Sequence, residues 1–256
     1  MADIIFLVDN SGSLTMNGWI KELELMRDII EELEVSTKYI NAAVILFDDG
    51  SVDWLLDANN NQIWQTGGVF VAYYFMDDKD LLLTLINDSL TMARKGLSSG
   101  CHSSSGMGVN FCPQITDWYL VPKKRVVTDS FGNPKDYYPL WYNAGGTRHD
   151  LAFAEAINLL NERKSEFQKV LAGLDQTHPN YEVAHYRQTY QSLVIMITDA
   201  TITPGFGKAE SDQLKNQMNA QIVILLVVDF YTYLFDFAGF EYATGGAAIN
   251  CNTRSI

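Results

Sequence analysis

The chain has 256 residues, with 18 Lys and Arg against 31 Asp and Glu, giving a formal net charge of −13. A hydrophobic content of 47% with 12% aromatics fills a sizeable core and excludes global disorder. The acidic balance argues against nucleic acid as a ligand and disfavours an anionic membrane surface, since both demand clustered Lys and Arg.

Asp3–Val8 is a short continuous apolar run, the pattern of a strand buried on both faces, and it stops at the turn and cap residues Asp9-Asn-Ser-Gly-Ser13. From Trp19 to Val35, Ile20, Leu23, Met26, Ile30 and Leu33 recur at helical spacing between acidic residues. Ala42–Phe47 is a second buried strand. Asp48-Asp-Gly50 then reads as a hairpin turn, which predicts that Val52–Leu56 returns antiparallel. Asp80–Arg94 carries Leu82, Leu85, Ile86 and Leu90 on one helical face.

Residues 97–142 break this rhythm. They are rich in Ser and Gly, then basic at Lys123-Lys-Arg125, then aromatic at Tyr137, Tyr138, Trp141 and Tyr142. A connection of that length is usually functional or disordered. Cys101 and Cys112 lie in it close enough for a small disulfide, which leaves Cys251 over. His102 beside Cys101 lacks the paired C-x-x-C spacing of a zinc site. Regularity resumes with a helix over about Arg148–Val170, strand Leu193–Thr198, helix Lys208–Met218 and strand Ile222–Val228. A short helix around Tyr233–Tyr242 and a weak strand at Ala247–Asn250 close the sequence.

Strands alternating with helices predict an α/β fold: Rossmann-like and doubly wound, with a mostly parallel central sheet, one antiparallel edge strand and helices on both faces. One domain over residues 1–256 is expected, with an inserted loop region at about 97–142. The apolar runs fall short of the ~20 residues that span a bilayer. The N-terminus has no basic segment and its apolar run ends at Asp9, so a signal peptide is not expected there. A cytosolic protein and a domain taken from a longer chain both fit.

In open α/β sheets, ligands bind beyond the carboxyl ends of the strands. The first strand delivers Asp9, Ser11 and Ser13 to that edge, and Leu193–Thr198 delivers Asp199. Gly145-Gly-Thr147 opens the long helix, with the Thr147 hydroxyl at its N-terminus. Two carboxylates and three hydroxyls form a hard-oxygen set. It suits Mg²⁺, which takes six oxygens, keeps some water and often uses one or two carboxylates. One position is then left for an outside carboxylate.

Asp9-x-Ser11-x-Ser13, Gly-Gly-Thr147 and Thr-Asp199 in this order resemble the von Willebrand factor A family and its metal-ion-dependent adhesion site. The strand–helix order from Asp3 to about Asn250 resembles that family too. The resemblance implies that Ser11, Ser13 and Thr147 are hydroxyl ligands, and that Asp9 and Asp199 bind the ion directly or through water. It also implies a binding domain without catalysis, used in adhesion or matrix recognition. Mg²⁺, or Mn²⁺ or Ca²⁺ in its place, would capture an acidic group of a protein or glycan partner. The expected location is extracellular or at a cell surface within a larger protein, with cytoplasmic second. An assembly or scaffold subunit is the alternative role.

Because residues 97–142 lead directly into Thr147, the insertion is expected to help form the ligand surface. Tyr137, Tyr138, Trp141 and Tyr142 are candidate contact anchors, and His149 a candidate at the rim. Packing of the four aromatics onto the domain is the alternative, and for His149 it is a surface position at the helix start. Other chemistries fit less well. A haloacid-dehalogenase-type phosphatase needs a second acid two residues after the nucleophilic aspartate, and Ser11 stands there. Gly205-Phe-Gly-Lys208 lacks the first P-loop glycine and the Ser/Thr after Lys, and Ser103-Ser-Ser-Gly106 has no strand–elbow–helix setting.

Overall fold

The computed structural model describes residues 1–56, 62–95, 102–103, 110–111, 125–128, 134–143, 146–174, 176–187, 189–199, 207–227 and 244. In chain order they form β1 (Ala2–Asp9), α1 (Met16–Glu32), β2 (Ile40–Phe47), β3 (Trp54–Leu56), β4 (Gln62–Gln65), β5 (Phe70–Met76) and α2 (Lys79–Arg94). The short strands β6 (His102–Ser103), β7 (Asn110–Phe111), β8 (Arg125–Thr128) and β9 (Pro134–Tyr137) follow. Then come α3 (His149–Gly173), α4 (Pro179–Arg187), β10 (Ser192–Thr198), α5 (Lys208–Asn216) and β11 (Ala220–Leu226).

The central sheet has five strands in the order β11-β10-β1-β2-β5. All neighbours are parallel except β2 and β5, which run antiparallel. The chain therefore builds outward from β1 on one side, through β2 to β5, and then crosses to the other side with β10. The switch point lies between β1 and β10, whose carboxyl ends carry Asp9 and Asp199.

Strand β1 explains why the sheet is covered on both faces. Its alternate residues Ile4, Phe6 and Val8 pack with Trp19, Leu23, Met26 and Ile30 of α1 and with Leu82, Leu85, Ile86 and Leu90 of α2. Ile5 and Leu7 point the other way, against Phe153, Ala156 and Leu160 of α3 and Leu214 of α5. Both faces are apolar, which is why the strand reads as an unbroken run. The Thr15 hydroxyl caps α1 by accepting from Gly18 N at 3.1 Å, and Asp78 caps α2 by accepting from Leu81 N at 2.9 Å.

The antiparallel edge strand is β5, not Val52–Leu56. Trp54–Leu56 instead pairs with Gln62–Gln65 in a separate two-stranded ribbon. The Asp48-Asp-Gly50 turn does form, with Gly50 at φ +87°, but it does not close a hairpin onto β2. Asp48 Oδ1 accepts from both Gly50 N and Gly68 N at 2.9 Å, so the side chain gathers the two ends of the excursion before β5 returns. Helix α4 is a further element absent from the sequence expectation. Within the insertion, β8 and β9 pair antiparallel, as do β6 and β7. Cys101, Cys112, Cys251, the helix expected at Tyr233–Tyr242 and the strand expected at Ala247–Asn250 lie outside the described residues. No helix among the described residues is long and apolar enough to cross a membrane.

Candidate functional site

The five oxygen-bearing residues singled out in the sequence come together at the carboxyl edge of the sheet. Asp9 is the last residue of β1, and Asp199 follows the last residue of β10. Ser11 and Ser13 sit in the turn between β1 and α1. Thr147 precedes α3, whose N-cap position is Arg148 rather than Thr147. Its hydroxyl is therefore not used to cap the helix. It donates to Ser11 Oγ at 2.8 Å.

From there a chain of hydroxyls runs across the site. Ser11 Oγ and Ser13 Oγ are 2.9 Å apart, and Ser13 Oγ donates to Asp199 Oδ1 at 2.8 Å. Asp9 is held from two sides: its Oδ1 accepts from Ser11 N at 2.9 Å, and its Oδ2 accepts from Thr198 Oγ1 at 2.5 Å. Asp9, Ser11 and Asp199 are buried, whereas Ser13 is exposed, so the site opens to solvent on the Ser13 side.

Burial pushes the Asp9 carboxyl up to about 7. That value is the balance of burial and the negative Asp199, which raise it, against hydrogen bonds from Thr198 and Ser11, which lower it. Two neighbouring carboxylates thus compete for ionisation in a desolvated place.

A second layer ties the surrounding loops together. Asn10 Nδ2 donates to the carbonyls of Thr66 (3.1 Å) and Trp141 (3.2 Å), and Asn143 N donates back to Asn10 O at 3.2 Å. Asn143 Nδ2 donates to Asp48 Oδ2 at 2.7 Å and to Asp53 Oδ2 at 3.1 Å. Arg148 N donates to Asp48 O at 2.9 Å, which fixes the residue next to Thr147 against the end of β2. Asn10 and Asp48 thereby hold the Ser11 and Thr147 segments in register. Only their positions at strand ends signalled this in the sequence.

Most of the proposed contact aromatics face inward. Tyr137, Trp141, Tyr142 and His149 are buried, which corrects the expectation that they line a ligand surface. For Tyr137, Trp141 and Tyr142 the alternative, packing onto the domain, is what is found, and His149 is buried rather than at the surface. Tyr142 stacks obliquely on Trp19 with centroids 6.2 Å apart and donates its hydroxyl to the Leu14 carbonyl. Tyr137 packs edge-on against Tyr73 at 5.8 Å, and His149 lies 5.6 Å from the Phe47 ring. Tyr138 alone of this set is partly exposed, on the wall of a cavity of about 250 Å³ beside β5.

One carboxyl near the site escaped the sequence reading. Glu22 of α1 is 0% exposed, and neither of its carboxyl oxygens has a hydrogen-bond partner among the described residues. Burial holds it well above the usual carboxylate range, and the fields of Asp9 and Asp199 push it further. On paper it is one more acid on an acidic helix. Its spacing from Trp19 and Met26 was the available signal, since it places Glu22 on the apolar stripe.

The donor set fits a hard divalent cation. Every candidate ligand atom is an oxygen, two belong to carboxylates, and the acids repel each other without a positive charge between them. Among the described residues there is no group of three or more His, Cys, Asp or Glu arranged to hold a metal. Three of the five donors here are hydroxyls, so any ion would depend on Ser11, Ser13 and Thr147 as much as on the acids.

No family model matches the sequence, and no curated protein matches it. Among solved structures, it is similar to the manganese-loaded TRAP protein of Plasmodium vivax, at 17% identity and a TM-score of 0.47, covering 100% of this chain and 65% of that one. It is also similar to proximal thread matrix protein 1 from the mussel byssus. Crystal form 2 matches at 14% identity and TM-score 0.48, covering 95% of this chain and 41% of that chain. A further structure of the mussel protein matches at 13% and 0.46, covering 95% and 40%. The chain thus spans less than two thirds of each of these proteins. Likenesses at this level assign neither a family nor a ligand.

Proposed function

We propose that this chain is a divalent-metal-dependent binding domain that captures an acidic group of a protein or glycan partner, as an adhesion module within a larger protein at a cell surface or outside the cell. The reading is supported above all by the hydroxyl chain Thr147–Ser11–Ser13–Asp199, which joins three sequence segments around a buried Asp9 at the switch point of the sheet.

Mg²⁺ is the favoured ion, with Mn²⁺ or Ca²⁺ able to replace it, and Asp9, Ser11, Ser13, Thr147 and Asp199 are its proposed holders. When bound, the ion supplies a positive coordination position that an outside carboxylate completes. The protein's part is orientation. Thr198 and the Ser11 amide fix Asp9, while the second layer of Asn10, Asp48 and Asn143 fixes the hydroxyl segments. Exposed Ser13 marks the side from which a partner approaches. No catalytic step is proposed; phosphatase chemistry on Asp9 would need a second acid two residues on, where Ser11 stands.

The test is thermal unfolding in chelator and then with Mg²⁺, Ca²⁺ or Mn²⁺, repeated in Asp9→Ala and Asp199→Ala. A ligand that binds only the native state raises its stability by mass action. A stabilisation present in the wild type and lost in both variants supports the reading. Equal stability with and without metal in the wild type would overturn it.

A further inference from the structure

At the opposite end of the sheet, two arginines are drawn into the protein around one carboxylate. Arg163 of α3 and Arg187 of α4 are 4% and 7% exposed, and Asp3 at the start of β1 is 8% exposed. Arg187 Nη1 donates to Asp3 Oδ1 at 2.7 Å, and its Nη2 donates to the Thr37 carbonyl at 2.7 Å. Arg163 Nη2 donates to Asn41 Oδ1 at 2.5 Å, while its Nε lies 3.6 Å from Asp3 Oδ2. The Arg163 guanidinium is also held between two rings, 4.4 Å from the centroid of Phe167 and 4.9 Å from that of Phe75.

Asp3, Arg163, Phe167 and Arg187 line a cavity of about 170 Å³ that opens between the end of α4 and the starts of β10 and β11. Lys164 adds a third cation to its wall, so three positive side chains face one negative one. The half-buried Glu166, 4.0 Å from Arg163 Nη1, lies outside the lining. This surplus of positive charge stands in a chain whose net charge is −13. Burying guanidinium groups is costly unless their charge is answered. Burial lowers the proton affinity of Arg163, Asp3 restores part of it, and the adjacent Arg187 lowers it again. Thr189, Ser192 and Asn219 place hydroxyl and amide groups on the same wall.

We infer that this cavity binds a small oxyanion, a phosphate or carboxylate group, held by Arg163 and Arg187 and screened at the mouth by Lys164. Planar guanidiniums match two oxygens of such a group at once, and ring packing pre-orients the Arg163 fork. The volume is below the roughly 300–1,000 Å³ of sites for drug-sized ligands, so the occupant is a free ion or one terminal group. The site is independent of the metal-binding reading, because it lies at the amino ends of the strands.

The experiment is titration of the full chain with inorganic phosphate, and separately with succinate, at constant ionic strength in chelator. Thermal unfolding and backbone amide NMR are the readouts. Stabilisation over the chloride control, with amide shifts centred on Thr189, Ser192 and Asn219, is the expected result. The stronger of the two anions identifies phosphate or carboxylate as the preferred group. Exposed Lys164 is replaceable without touching the buried pair, and Lys164→Glu is expected to weaken binding by about tenfold. Arg187→Lys keeps the charge but loses the fork, and should weaken binding. No anion-specific stabilisation, shifts confined to other surfaces, or an unchanged affinity in Lys164→Glu would each overturn the inference.

Discussion

Ser13 Oγ donates a hydrogen bond of 2.8 Å to Asp199 Oδ1, across 186 residues of sequence. That bond joins the turn after β1 to the end of β10, the fourth strand of the sheet in chain order. It also connects exposed Ser13 to the buried acid pair behind it.

Asp199→Ala is expected to remove metal-linked stabilisation. Wild type should gain about 2.7 kcal/mol at a metal concentration a hundredfold above Kd. The variant should gain nothing, and should unfold in chelator close to wild type. Calorimetry of the two proteins with and without Mg²⁺ checks this, and a retained gain counts against the site.

Thr147→Val keeps the shape of the side chain and deletes the hydroxyl that reaches Ser11 Oγ at 2.8 Å. Metal affinity should fall by about tenfold, roughly 1.4 kcal/mol. Thr147→Ser should restore most of it. Titration calorimetry separates the two, and equal affinities for Val and Ser would show that the hydroxyl is not a ligand.

Glu22 makes the protein less stable as pH rises. Burial keeps its proton on in the native state above the ordinary value of 4.5 at which the unfolded chain releases it. The native state then binds more protons than the unfolded one, so stability declines as pH climbs from 4.5. Glu22→Leu should add on the order of 1–3 kcal/mol at neutral pH by removing buried oxygens without partners, and should flatten that decline. Urea unfolding between pH 4.5 and 8 measures both.

His149 acts in the opposite direction. Burial lowers it from 6.5 to about 4, so between those values the unfolded chain binds the extra proton. Stability is therefore lost as pH falls through that window, by roughly a few kcal/mol at its lower end. His149→Gln should shift the acid unfolding midpoint downward. An unchanged midpoint would mean that the imidazole is not kept neutral in the fold.

Gly67→Ala tests the loop layer. A Cβ there would lie 2.1 Å from Asn143 Nδ2 and 2.8 Å from its Cγ, so Asn143 would have to leave its bond to Asp48. A loss of about 1–3 kcal/mol in unfolding free energy is expected. Metal affinity should drop with it, because Asp48 O also positions Arg148 beside Thr147.

The parts of the fold visible in the sequence were those in which burial is one-dimensional. β1, β2, β10 and β11 lie within the sheet or along its parallel half, and their apolar runs announce them. The acids and hydroxyls at the ends of β1 and β10 were legible because strand ends are where polar residues must appear. The antiparallel edge was misplaced because Asp48-Asp-Gly50 carries a true hairpin turn signal. Its outcome depends on Asp48 binding Gly68 N, twenty residues from Asp48. Glu22 goes unmarked, and Trp141 and His149 read as surface candidates, for a related reason: a polar or amphipathic side chain has no sequence mark for inside or outside. Asp3, Arg163 and Arg187 were invisible as a group, since the fold alone brings β1, α3 and α4 together.

The chain of hydroxyls from Thr147 through Ser11 and Ser13 to Asp199 spans sequence separations of 136 and 186 residues. Such contacts form only after long loops have closed, and long-range closure is the slow part of folding. A fragment that lacks any one of the three segments lacks the site altogether, and so does a chain arrested before β10 joins β1. The oxygen set at this edge is therefore a property of the finished fold alone, absent from any partly folded chain.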